Sequence, residues 1–400
     1  VSRYGEILRS PQVGPLVASA LLSRLPIGIN ALAIVLYLSQ RTGSFAIAGA
    51  VAGSVAAGSG VGAPVTGRLV DRLGPRRVLV PLALMHGAAL GAIVACAEAG
   101  LPAVVLIACG LLAGAAMPPT MSVLRSMWGD LVDPRLRQAA YALDSTLVEL
   151  IFITGPLLTA AITALASPAA ALIVSPAAAL AGNAIFSALP ATRAIQPEPA
   201  REGASRLGAL ASPGVRTIVL ISLPAGIAIG ICEVGIPGFS RHEGAPAAAG
   251  VLLAMWSLGS GAGGLVYGLL PRRTGLRRMH LLVAGLLPLS IAPLAAATSV
   301  AVMALLVIPA GCTIAPLLAT RNELVASVAP EGSRTEAYSW PMTAFVGGIA
   351  IGSAVAGALI EGPGWRTAFL TATAIGVAGF LLAVARRATL VRTRVRVRTL

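Results

Sequence analysis

Gly67-Arg68-Leu69-Val70-Asp71-Arg72-Leu73-Gly74-Pro75-Arg76-Arg77 carries five charges in eleven residues. Long apolar runs flank it on both sides, in a chain that is only 11% charged. The pattern reads G-x-L-x-D-R-x-G-x-R-R. Gly67 lets two helix ends approach closely, and Gly74 permits a tight turn. Asp71 is an anion able to accept from a neighbouring helix N-terminus or from arginine. Arg72, Arg76 and Arg77 hold this stretch on the side of a membrane that retains positive charge. A basic loop that only sets topology is the plainer reading of the same residues.

The surroundings of that stretch set the class. The 400 residues are 56% hydrophobic, whereas soluble chains carry roughly a quarter charged residues. The chain therefore reads as an all-α, polytopic membrane protein. Barrels are excluded because they show short alternating segments and not long apolar runs. Twelve runs are long enough to span, at 14–39, 45–66, 78–97, 101–124, 139–164, 168–189, 215–238, 246–270, 280–297, 300–321, 337–360 and 365–385. No cleavable leader is expected, since the first run is too long for one.

The net charge is +14, and every basic side chain is arginine. With the abundance of alanine and glycine, this points to a GC-rich bacterial genome. The arginines fall at the N-terminus, in the even-numbered connections and in the tail; the odd connections hold only Arg41, Arg241 and Arg366. Both termini are thus expected in the cytoplasm of a bacterial cell, in its inner membrane. That asymmetry accounts for the basicity without nucleic acid, which is not expected as a partner. The tail Arg392–Arg398 alternates basic and small residues and suits anionic lipid headgroups.

The longest polar stretch, about 190–214, reads as a linker at the midpoint of the chain. It separates a six-helix bundle at 1–189 from a second at 215–385, with a basic tail at 386–400. An internal repeat supports the division. Leu25-Pro26-Ile27-Gly28-Ile29 returns as Leu223-Pro224-Ala225-Gly226-Ile227. At a shift of 197, Gly67 meets Gly264, Gly114 meets Gly311, Pro119 meets Pro316, Ala140-Tyr141 meets Ala337-Tyr338, and Gly155 meets Gly352. An even number of helices per repeat gives both halves one orientation.

The Gly67–Arg77 motif, the twelve runs and the parallel repeat together resemble the major facilitator superfamily of transporters over nearly the whole chain. The resemblance implies two pseudo-symmetric six-helix halves with one central cavity, and alternating access to it. It also implies a monomer and a small-molecule substrate, with helices 1, 4, 7 and 10 lining the cavity.

Several residues stand out as candidates for substrate binding or proton coupling. Arg24 lies about eleven residues into the first run, where a buried arginine costs about 2.5–3.5 kcal/mol. It is an anion anchor or half of a structural ion pair. The fifth run offers Asp144 and Glu149. Glu149 matches Arg24 in depth, roughly 16 Å in at 1.5 Å per residue, and is the stronger candidate for a protonatable group. Asp144 is shallower and suits a helix end or a gate. The two are five apart and point roughly 140° away from each other. Glu233 in the seventh run suits the cavity or an outer gate, and Asn30 suits the cavity or a bond between helices. Pro118, Pro119 and Pro316 are expected to kink helices 4 and 10. Gly58/Gly62, Gly87/Gly91 and Gly264/Gly268 read as close-packing pairs.

No metal or cofactor is expected: three histidines and four cysteines are scattered without ligand spacing. No Walker loop or nucleophile–base constellation is present, so neither ATP-driven transport nor an enzyme is expected. Departures from the family exist. The arginine that some exporters carry early in helix 4 is replaced by Gly110, only Gly155-Pro156 survives of the antiporter motif in helix 5, and Gly268 stands where the second repeat would match Asp71. The favoured expectation is proton-coupled export of a hydrophobic or amphipathic compound. A sugar or other polar-metabolite transporter is the alternative, and a non-transporting membrane sensor or assembly partner is a third.

Overall fold

A computed structural model describes residues 2–196, 207–245, 248–271 and 274–390. Residues 197–206 of the linker and the Arg392–Arg398 tail lie outside the described residues. Among the described residues there are twelve helices long and apolar enough to cross a membrane, and no strand. They are α1 (Val13–Thr42), α2 (Phe45–Leu73), α3 (Pro75–Glu98), α4 (Ala103–Leu131), α5 (Arg137–Leu165) and α6 (Pro168–Ala188) in the first half. The second half holds α7 (Pro213–His242), α8 (Ala248–Leu269), α9 (Leu276–Ala296), α10 (Val300–Val328), α11 (Arg334–Glu361) and α12 (Trp365–Ala385). A short N-terminal helix, Ser2–Arg9, precedes them.

Helices are the outcome because a bilayer offers no water to backbone groups, so each segment must satisfy its own. Serines cap several starts: Ser44, Ser167, Ser212 and Ser299 each accept from the backbone N–H three residues on. Helices run past the apolar runs by a polar turn or more, notably in α2, α4 and α10.

Two expectations change. Of the Gly67–Arg77 stretch, only Gly74 is loop. Residues 67–73 form the last two turns of α2, and Pro75 opens α3. Gly74 turns the chain at φ 81, and Pro75 at the first helical position loses no bond. The prolines in helices 4 and 10 mark breaks, not kinks. α4 is helical over Ala103–Ala115 and Thr120–Leu131, with Pro118-Pro119 in the gap. α10 is helical over Val300–Gly311 and Ile314–Val328, so Pro316 sits in a first turn where its missing N–H costs nothing.

The repeat explains the packing. α1 packs on α5 and α6 as α7 packs on α11 and α12, and α2 packs on α4 as α8 packs on α10. The repeated glycines are the crossing points. A Cβ on Gly28 of α1 would stand 2.9 Å from the Gly155 Cα of α5, and one on Gly352 of α11 would stand 3.0 Å from the Ile227 Cα of α7. The halves meet through α2 against α11 and α5 against α8, two seams exchanged by the pseudo-two-fold axis. Tyr141 and Tyr338, equivalent at a shift of 197, touch each other with hydroxyls 2.7 Å apart. Equivalent residues meet only on the axis, so this pair locates it.

Candidate functional site

On the arginine-rich side both seams are latched, each differently. At the α2–α11 seam Asp71 accepts from the backbone N–H groups of Thr335 and Glu336, both at 2.9 Å. These are free donors in the first turn of α11, where the helix dipole favours an anion. One turn earlier on α2, Arg68 forks onto Glu336 at 3.1 and 2.7 Å. Gly67 makes room: a Cβ there would lie 2.8 Å from Ser339 Oγ and 3.1 Å from the Glu336 Cα. Arg334 reaches Asp130 of α4 at 2.9 Å. Arg72, Arg76 and Arg77 are exposed, outside this latch.

The α5–α8 seam lacks the acid, because Gly268 replaces it. Gln138 of α5 instead donates to the terminal carbonyls of α8, Tyr267 at 2.6 Å and Leu270 at 3.2 Å. The N-terminal helix adds a clasp, with Tyr4 donating to Leu265 O at 2.9 Å and Arg3 to Leu270 O at 3.2 Å. Burial pushes the Tyr4 phenol up to about 12, so it remains a donor at neutral pH.

Arg24 does find a carboxylate, but it is Asp144 and not Glu149. Arg24 Nη1 lies 2.9 Å from Asp144 Oδ1, and Arg125 Nε lies 2.6 Å from Asp144 Oδ2. All three are at most 3% exposed. Azimuth decides over depth: Asp144 faces α1 and α4 of its own half, while Glu149, five residues on, faces the other half. The long arginine side chain absorbs the difference in depth. Two guanidinium groups on one carboxylate leave a buried triad of net charge +1, and Arg24 Nε and Nη2 have no partner among the described residues.

Arg125 is the residue that sequence reasoning missed. The apolar run ends at 124, so it reads as loop edge. Yet Val123, Leu124, Met127 and Trp128 continue a buried helical face past it, and that periodicity was available. Arg321 is likewise buried, in the second segment of α10.

Glu149 sits half-buried near mid-membrane and accepts from Ser260 of α8 at 2.8 Å, linking the halves. Glu233 is exposed on α7, toward the far side. Asn30 is committed inside the first half: Ser175 donates to its Oδ1, and its amide nitrogen lies 3.3 Å from His86 Nε2. His86 Nδ1 is 2.7 Å from Ala113 O, which completes a network between helices.

Beyond the latches lies a cavity of about 310 Å³ between α1, α2, α4, α5 and α11. Its walls are mainly apolar, with Ile34, Val55, Met117, Met121, Phe152 and Met342 among them. The break in α4 places Met117–Pro119 on this wall. Ser339 donates to Ser122 at 3.2 Å across its basic-side end, and Thr343 donates to Gly60 O at 2.8 Å. Glu149 is not itself on this wall; Phe152, one turn further along α5, is.

A family model described as Major Facilitator Superfamily matches residues 16–245 and 207–398. Among solved structures, the crystal structure of the human organic anion transporter MFSD10 (TETRAN) is similar, with TM-score 0.73, 18% identity, and coverage of 93% of this chain and 98% of that one. A bacterial homologue of the iron transporter ferroportin in an outward-facing state gives TM-score 0.75 at 15% identity, covering 94% and 99%. The same homologue with soaked iron gives 0.72 at 17% identity, covering 94% and 98%. At these identities the likeness is one of fold. No curated protein sequence matches the chain.

Proposed function

The chain belongs to the major facilitator superfamily, and from there we propose that it is a proton-coupled exporter of hydrophobic or amphipathic compounds. Membership makes it a multi-pass membrane transporter; substrate, coupling and direction are the proposal. The arginine-rich side is assigned to the cytoplasm of a bacterial cell by the positive-inside rule. With the latches on that side made, the arrangement corresponds to the outward-facing stage of alternating access.

The observation that carries the reading is the apolar chamber, with Glu149 one turn of α5 from its Phe152 wall. A sugar site needs several inward amides and hydroxyls to replace lost water. Here the polar groups on the wall are already engaged: Asn30 with Ser175 and His86, Thr343 with Gly60, Ser339 with Ser122. What remains is apolar surface, the Ser59 hydroxyl, whose partner is the Met117 thioether at 3.9 Å, and three methionines, a lining that adapts to varied shapes. Glu149 then supplies the coupling. Ionised, it is costly to seal between two closing halves; protonated, it is not. A proton therefore favours closure of the outer side, and its release toward the cytoplasm resets the carrier. Glu233 is assigned to the same path. The Arg24–Asp144–Arg125 triad is given a structural role beneath the chamber.

The test is accumulation of lipophilic fluorescent dyes in cells expressing the chain, with and without a protonophore, beside Glu149→Gln. Accumulation reduced by the wild type, and restored by the uncoupler and by the variant, is the expected outcome. Unchanged accumulation across the panel with confirmed membrane expression rejects a broad drug exporter.

A further inference from the structure

The second half buries a guanidinium to which the described residues offer no ion pair. Arg321 is 4% exposed on α10. Its plane lies over the Phe345 ring at 5.2 Å, and Nη2 makes one long bond, 3.4 Å, to Asn322 Oδ1. Among the described residues Nε and Nη1 have no hydrogen-bond partner, nor does the Asn322 amide nitrogen beside them. A cation in the interior needs an anion as well as acceptors for its N–H groups.

Arg321 lines a cavity of about 30 Å³ enclosed by α7, α9, α10, α11 and α12. The other polar walls are Ser222 and His280. Ser222 spends its proton on Ile218 O at 2.7 Å, and His280 Nδ1 is held by Thr320 Oγ1 at 2.9 Å. None of the described residues lining the cavity is a carboxylate. A water needs about 10–15 Å³ of such space, so the cavity has room for a monatomic ion or a pair of waters. Water would satisfy the N–H groups and leave the charge.

We propose that Arg321 is the centre of a small-anion site inside the second half, of a size for chloride or bromide, that neutralises the guanidinium and ties α9, α10 and α11 together. The site is separate from the central chamber, and its test involves no flux, so it stands or falls apart from the transport reading.

Thermal unfolding of the purified protein would be followed while chloride replaces gluconate at constant ionic strength. A saturable rise in Tm with chloride, matched by bromide and lost in Arg321→Gln, is expected. A flat response in the wild type, or an equal rise in the variant, overturns the site. Should the variant fail to fold, anomalous scattering from bromide-soaked wild-type crystals decides: a peak beside Nε and Nη1 supports the site, and its absence overturns it.

Discussion

Asp144 serves two guanidinium groups at once, while Glu149, five residues on, bonds a serine hydroxyl, and the difference should be measurable. Asp144→Asn leaves two buried arginines without a counter-charge and should cost about 3–5 kcal/mol of stability, read as a large fall in Tm in detergent. Glu149→Gln keeps an acceptor for Ser260 and should melt close to wild type. Equal melting of both variants would remove the triad's structural role. The need of Arg24 for a carboxylate was legible from its depth alone. Which carboxylate answered was not, because helical phase relative to a neighbour exists only after packing. Arg125 escaped because the end of an apolar run is not the end of a helix, and Asn30 turned out to bond between helices, as one of its two readings allowed.

At the scale of elements, the two seams are related by symmetry and latched by different chemistry. Asp71 holds the first turn of α11, whereas Gln138 and Tyr4 hold the last turn of α8. Asp71→Asn keeps the shape but loses the charge that the helix dipole rewards, and its NH2 replaces one of the two oxygens that accept from Thr335 and Glu336, at a cost of about 1–3 kcal/mol. Spin labels at Leu73 and Arg278, on the arginine-rich side of opposite halves, should then show an enlarged long-distance population; an unchanged distribution would mean that this latch carries no closing energy. Glycine contacts separate in the same way. Gly28 faces Gly155 across the α1–α5 crossing, while a Cβ on Gly91 would have nothing within 4 Å of it. Gly28→Leu should therefore abolish folded expression and Gly91→Leu should leave it near wild type, both read by size-exclusion fluorescence. The sequence repeat marks Gly28 through its partner Gly226; at the same shift of 198 Gly91 meets Leu289, and of the Gly87/Gly91 pair only Gly87 meets another helix, at Pro176.

For the whole molecule, the twelve spans and the two-fold relation were readable in advance because both are properties of period and repetition. Apolar length fixes a span, and a near-constant shift of 197–198 gives the relation of the halves, down to the Tyr141–Tyr338 contact on the axis. The chamber was not readable, since it depends on the break in α4 and on which polar groups pair among themselves. Its apolar wall, with Glu149 one turn along α5 from Phe152, is the basis for proposing proton-coupled export. The most direct test is purified protein in liposomes carrying a lumenal pH dye, with an imposed pH gradient and an added lipophilic fluorescent cation. Uptake of the cation into an acidified lumen should be accompanied by proton efflux above the leak, and both should vanish together in Glu149→Gln. Cation movement without proton movement, or coupled movement that survives in Glu149→Gln, would contradict the account.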